Sequence, residues 1–178
     1  MRIKKLLCVL FTMFMITLSS CNFFGPIKAS NREKEIRHKV ITMFEEFDVF
    51  AENILVEEVE LDGANCTRRF TVENDNIYGA AYPCTIDGYK GDIEFIISFA
   101  NGNYLSFSKI GKSRLSSNAS KAIKKITKEI KNFDANEVLV ENDEFIDLVS
   151  GCSITGYDIA ETIEVCKQDY LELYYYFN

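Results

Sequence analysis

The chain has a single histidine, His38. It falls on the polar side of a helical stretch whose apolar side is marked by Ile36, Val40 and Phe44, so it reads as a surface residue. Ser–His–Asp and Cys–His mechanisms both need an imidazole beside a nucleophile, and that single ring is poorly placed for either. Other signatures are missing too. There is no phosphate-cradling glycine loop and no C-x-x-C pair. Ser106-Phe107-Ser108-Lys109 matches S-x-x-K, but such a serine should open a helix and be followed by S-D-N and K-T-G. Here it lies in an expected strand without those companions. Asn74-Asp75-Asn76-Ile77-Tyr78-Gly79 comes nearest to a calcium loop, yet Thr85 stands where the bidentate Glu belongs. Glu57-Glu58 and Glu141-Asn142-Asp143-Glu144 read as solvated turns. The expectation is a protein with no catalytic set, metal site or cofactor. A hydrolase using a carboxylate pair is the less favoured alternative.

What is present begins at the N-terminus. Arg2, Lys4 and Lys5 form a basic tip, and an apolar run follows from Leu6 to Leu18. That run is too short to span a bilayer, which takes about 20 residues, but it suits a secretory leader. It ends in Leu18-Ser19-Ser20-Cys21, which resembles the lipobox of bacterial lipoproteins. The resemblance covers residues 1–21 only. It implies that residues 1–20 are a signal peptide and that Cys21 becomes the lipidated N-terminus, its acyl chains (palmitate among them) holding the protein at a membrane. It further implies a bacterial cell-envelope address. Asn22, rather than Asp, after the cysteine leaves export to the outer membrane open.

Residues 21–29, with Gly25 and Pro26, read as a tether, and 30–178 as one domain of a length that supports a core. Nearly half the chain is apolar, with 14 Phe and 9 Tyr, and there is no second run long enough to cross a membrane. Beyond Cys8 in the leader and Cys21, four cysteines remain: Cys66, Cys84, Cys152 and Cys166. In an exported domain an even set reads as disulfides. Four cysteines allow three connectivities. Cys66 and Cys84 lie symmetrically about Asp75 in a turn-forming cluster, which favours Cys66–Cys84 and leaves Cys152–Cys166. Zinc is the competing reading, but the spacing lacks its usual pairs and the histidine is distant.

Periodicity places an amphipathic helix over about 31–56, opened by a capping box at Ser30-Asn31-Arg32-Glu33. From about 59 to 110 the period changes to two. Asn101-Gly102 is a strong hairpin signal, and a two-residue loop there pairs Phe99 with Tyr104, Ile97 with Ser106 and Ile96 with Phe107. Apolar residues on both faces put this hairpin centrally, with cover on each side. A four-stranded antiparallel meander results. A second helix is expected over 117–132, a short strand at Val138–Val140, a third helix from about Asp158, and a final strand over Tyr170–Phe177. The fold class is α+β, helices against a mostly antiparallel sheet. A helix wrapped by such a meander loosely resembles cystatin-like folds.

Charge is segregated. Between Lys109 and Lys131 stand eight basic residues and one acid, Glu129, whereas the segment from Asn132 onward is strongly acidic; the whole chain carries net charge −7. Lys121, Lys124, Lys125 and Lys128 therefore form a candidate polyanion-binding row, suited to an anionic glycan or lipid headgroup. The plainer alternative is a solvated face balanced by the acidic third. Nucleic acid does not suit an acidic envelope protein. The functional expectation is a lipid-anchored envelope domain with a binding or interaction role at the outer membrane or cell surface, involving protein, glycan or lipid partners. A periplasm-facing accessory or inhibitor protein is the alternative.

Overall fold

Five strands follow one another in both sequence and space: β1 (Ile54–Glu58), β2 (Arg68–Asn74), β3 (Ile77–Ile86), β4 (Ile93–Ala100) and β5 (Asn103–Lys109). All neighbours are antiparallel. The computed structural model describes residues 30–75, 77–150 and 153–177. Its helices are α1 (Asn31–Met43), α2 (Ser117–Glu129), α3 (Asp143–Leu148) and α4 (Ser153–Phe177), with short 3-10 turns between elements.

Alternation sorts the strand side chains onto two faces. On one face, Phe70, Val72, Ile77, Ala81, Ile96 and Ala100 pack beneath Ile36, Val40 and Phe44 of α1 and the turn after it. On the other, Tyr82, Cys84, Phe95, Ile97, Phe99 and Phe107 meet α2, α3 and α4. β4 feeds both clusters, and its buried residues include Ile93, Phe95, Ile96, Ile97 and Phe99. Helices thus cover both faces of the central hairpin, as the two-sided apolar pattern requires. α2 opens on Ser116, whose side chain accepts from the Ala119 amide at 3.1 Å, and α3 opens on Asn142, which accepts from Phe145. Both caps satisfy amides that the first helical turn leaves without partners.

Four expectations need correction. α1 stops at Met43 rather than near 56. Asp48 takes a left-handed conformation (φ 54°), and Ile54 and Leu55, read as the end of the helical stripe, open β1 instead. The sheet therefore has five strands, not four. Val138–Val140 is not a strand: residues Leu139–Glu141 form a 3-10 turn. The C-terminal strand is absent, because α4 continues to Phe177. Its buried positions Ile159, Ile163, Cys166 and Tyr170 recur at helical intervals.

The Asn101-Gly102 hairpin forms with both residues at positive φ, 49° and 79°, as a two-residue turn of matching twist demands. Phe99 faces Tyr104, but a bulge next to Ser98 shifts the rest, so Ile97 faces Phe107 and Ile96 faces Ser108. A second irregularity lies between β2 and β3. Their ladder runs from Asn74↔Ile77 to Phe70↔Ala81 and then breaks, before Cys66↔Cys84 pairs as an isolated bridge one residue out of step. Pro83 sits in that gap. It has no N–H to offer, and the Thr85 amide beyond it donates to the Asn65 carbonyl. Pairing resumes there in the offset register that sets Cys66 opposite Cys84.

Candidate functional site

Where α4 crosses β3, three thiols converge. Cys84 comes from the α4-facing side of β3, Cys66 from the offset bridge that pairs with it, and Cys166 from the buried stripe of α4. Their sulfurs all lie within 4.8 Å of one another, and Cys84 Sγ and Cys166 Sγ are 3.5 Å apart. All three are buried free thiols. Cys66 Sγ contacts the Arg68 carbonyl at 3.3 Å and Cys84 Sγ the Tyr82 carbonyl at 3.5 Å.

The cluster shares its protons unevenly. As a thiolate, Cys66 accepts from Cys166 and Cys84, which outweighs burial and holds its pKa well below the ordinary thiol range. Burial pushes Cys84 well up. Cys166 is raised as well, chiefly because its proton is the one lent to Cys66.

One helical turn beyond Cys166, Asp169 anchors a polar network. Its Oδ2 accepts from the Tyr82 hydroxyl and from Arg69 Nη1, each at 2.7 Å. Arg69 also clasps Glu57 through Nε and Nη2, at 3.2 and 2.8 Å. Burial and the Asp169 carboxylate together hold Tyr82 protonated far above the usual phenol range. Burial opposes the charge on Arg69, but its hydrogen bonds to the Asp169 and Glu57 carboxylates more than offset it. This network continues the thiol-bearing side of the sheet to its β1 edge, where Arg69 and Glu57 face the same way as Tyr82.

The expected disulfides take a different form here. Cys66 and Cys84 do stand opposite each other, yet they are thiols with a third thiol, Cys166, beside them. Cys152 lies outside the described residues. Cys166 is deep in α4, where its sulfur lies beside those of Cys84 and Cys66, and the expected Cys152–Cys166 pairing reaches outside the described residues. Cys21 also lies outside the described residues.

The lysine row is placed as its spacing requires. Lys121, Lys124, Lys125 and Lys128 are all exposed on α2, at intervals that share one face. Lys128 pairs with Glu129 at 2.7 Å, and Lys125 donates to the Leu148 carbonyl. Lys124, Lys125 and Lys128 line an open groove with Phe133, Glu144 and Leu148. Acids of the C-terminal third are partly committed elsewhere: Glu164 pairs with Lys167 and Asp169 with Arg69. His38 is exposed on α1. Lys109, of the S-x-x-K match, sends its amine to the Ile110 and Gly111 carbonyls.

Sequence reasoning missed Tyr82, Asp169 and Arg69, and it read Glu57 as part of a solvated turn, whereas Glu57 lies in β1 and accepts from Arg69. Arg69 and Asp169 are 100 residues apart, and nothing local to either marks the other. No protein-family model matches the chain, and no curated protein or solved structure is significantly similar to it.

Proposed function

We propose that this chain is a lipid-anchored envelope lipoprotein, tethered through Cys21 with the outer membrane favoured, whose domain works by binding rather than catalysis. The lysine row of α2 is its contact surface, and an anionic glycan or lipid headgroup its partner. One observation carries the reading: four exposed lysines share a helix face whose one ion-pair partner among the described residues is Glu129. Such a row attracts a polyanion without demanding a shaped pocket. The leader ending in Leu18-Ser19-Ser20-Cys21 supplies the address.

The test has two arms. Cells labelled with palmitate and shaved with protease report attachment and sidedness. Label on the parental protein and none on Cys21→Ser supports the anchor; an unlabelled parental protein removes it. Digestion while a periplasmic marker survives supports an outward-facing domain, whereas protection until the envelope is opened favours the accessory or inhibitor reading. In the second arm, Lys121→Glu, Lys124→Glu, Lys125→Glu and Lys128→Glu are combined, and binding to heparin-like glycan and to anionic vesicles is measured. Each lysine near an anionic surface contributes about 1 kcal/mol. The combined variant should therefore bind at least about a thousandfold more weakly at low salt. Unchanged binding sinks the lysine-row reading.

A further inference from the structure

We infer that Cys66, Cys84 and Cys166 form a three-thiolate binding site for one soft d10 cation, with Cu(I) the ion that fits it best. The inference does not depend on the lysine row or on lipidation.

Geometry carries it first. A d10 ion about 2.3 Å from each sulfur, centred in a planar triangle, needs sulfurs about 4 Å apart. Here Cys84 and Cys166 are 3.5 Å apart, and the whole triad fits within 4.8 Å. A few tenths of an ångström of rotamer adjustment would close the triangle. β3, α4 and the bridge segment paired with β3 supply the corners, all three buried in the core, so the sulfurs are gathered before any ion arrives. That spares part of the ordering cost of binding.

Ligand chemistry selects the ion. Thiolates favour Cu(I), zinc and iron–sulfur clusters over hard cations. Structural zinc and iron–sulfur clusters take four protein ligands. The group on hand is three sulfurs, and the nearby Asp169 carboxylate already serves Tyr82 and Arg69. A three-sulfur triangle suits monovalent copper.

A route in exists. Cys66 lines an open groove formed by residues Glu58–Arg68, and Glu58, Glu60 and Asp62 stand exposed along it. Their carboxylates raise the local concentration of cations at the mouth. Binding forms three Cu–S bonds, and each thiol still protonated releases its proton to solvent. No electrons are transferred.

The experiment uses the full chain with Cys8→Ser, Cys21→Ser and Cys152→Ser, so that the triad's three thiols are the only ones left. The reduced protein is titrated anaerobically with Cu(I) against a chromophoric Cu(I) chelator, then desalted and assayed for metal. The expected result is one copper per chain, with a thiolate-to-copper charge-transfer band. Further substitution of Cys66, Cys84 or Cys166 with Ser should each abolish retention while the far-ultraviolet circular dichroism is kept. Should a variant fail to fold, copper-edge X-ray absorption on the unsubstituted triad counts the ligands directly. Three sulfur neighbours support the site. No retained copper, fewer than three sulfurs, or equal retention by a folded Cys84→Ser variant overturns it. So does a Cys84–Cys166 disulfide in the wild-type protein isolated from its own cells without reductant, since the pair would then be a covalent staple.

Discussion

The Tyr170 hydroxyl, on the inner side of α4, accepts a hydrogen bond from the Gly102 amide at 2.8 Å and contacts the Tyr78 carbonyl at 3.3 Å. A residue 68 positions along the chain thereby pins the tip of the β4–β5 hairpin. Its ring stacks on Phe99, with centroids 5.1 Å apart, and on Tyr174. Tyr170→Phe keeps the stack and removes the hydroxyl, leaving the Gly102 amide without its partner. The expected cost is about 1–2 kcal/mol, or a Tm lower by about 2–8 °C for a domain of this size. Thermal denaturation measures the loss. Faster amide exchange at Gly102 in the same variant would localise it to the hairpin tip.

Lys167 is 6% exposed, yet it ends in a satisfied site. Its amine pairs with Glu164 at 2.6 Å and donates to the Glu137 carbonyl at 2.7 Å. Glu164 in turn accepts from the Leu139 amide. Removing the carboxylate charge by Glu164→Gln strands a buried ammonium, and the expected loss is about 3–5 kcal/mol in urea unfolding. Combining it with Lys167→Met should recover much of that loss. A double variant as unstable as Glu164→Gln alone would show that the amide, not the charge pair, sets the cost.

Gly79 lies beneath the ring of Phe44, in the turn that follows α1. A Cβ there would stand 2.6 Å from a Phe44 ring carbon and 3.0 Å from the Phe99 carbonyl oxygen. Gly79→Ala should therefore destabilise by about 1–3 kcal/mol through overpacking. Phe44→Leu should rescue part of this if the ring is the dominant clash. The denaturation midpoints of the two single variants and the double variant complete the cycle.

Glu33 on α1 is shared by Arg68 at 2.6 Å and Arg37 at 3.0 Å. Burial raises its pKa, but Arg68 first and Arg37 second outweigh that and hold it below the usual carboxylate range. A carboxylate with a depressed folded pKa adds stability that is complete above its unfolded pKa. That stability is lost as pH falls through the folded pKa. Glu33→Gln should thus be less stable at neutral pH and converge with the parent in acid. Parallel unfolding curves at pH 7 and pH 3 test this, and an equal gap at both would count against the assignment.

Much of the architecture was legible because strand alternation and turn chemistry are local signals. Asn101-Gly102 set the hairpin, and the two-sided apolar pattern of β4 foretold cover on both faces. The misreadings come from segments where two periods fit equally well. Phe47, Phe50 and Ile54 continue a helical stripe on paper, but Phe50 is 62% exposed, and the chain had already turned toward the β1 edge. Tyr170–Phe177 alternates like a strand, yet Tyr170 and Tyr174 are also one helical turn apart, and their stacked rings belong to α4. At the thiol site, the hairpin that sets Cys66 opposite Cys84 could be read from spacing about Asp75. Cys166 could not, because its place depends on how a distant helix docks.

Because strand order is chain order, the sheet can close by successive neighbouring turns, a topology of short-range contacts that favours quick assembly. Cys66 and Cys84 then meet as soon as the β2–β3 hairpin zips past Pro83. Cys166 lies 82 residues beyond Cys84 and arrives only when α4 settles onto the sheet. The triangle of sulfurs is thus closed only once α4 has docked, and whatever demands all three corners can recognise only a chain in which sheet and helix have met.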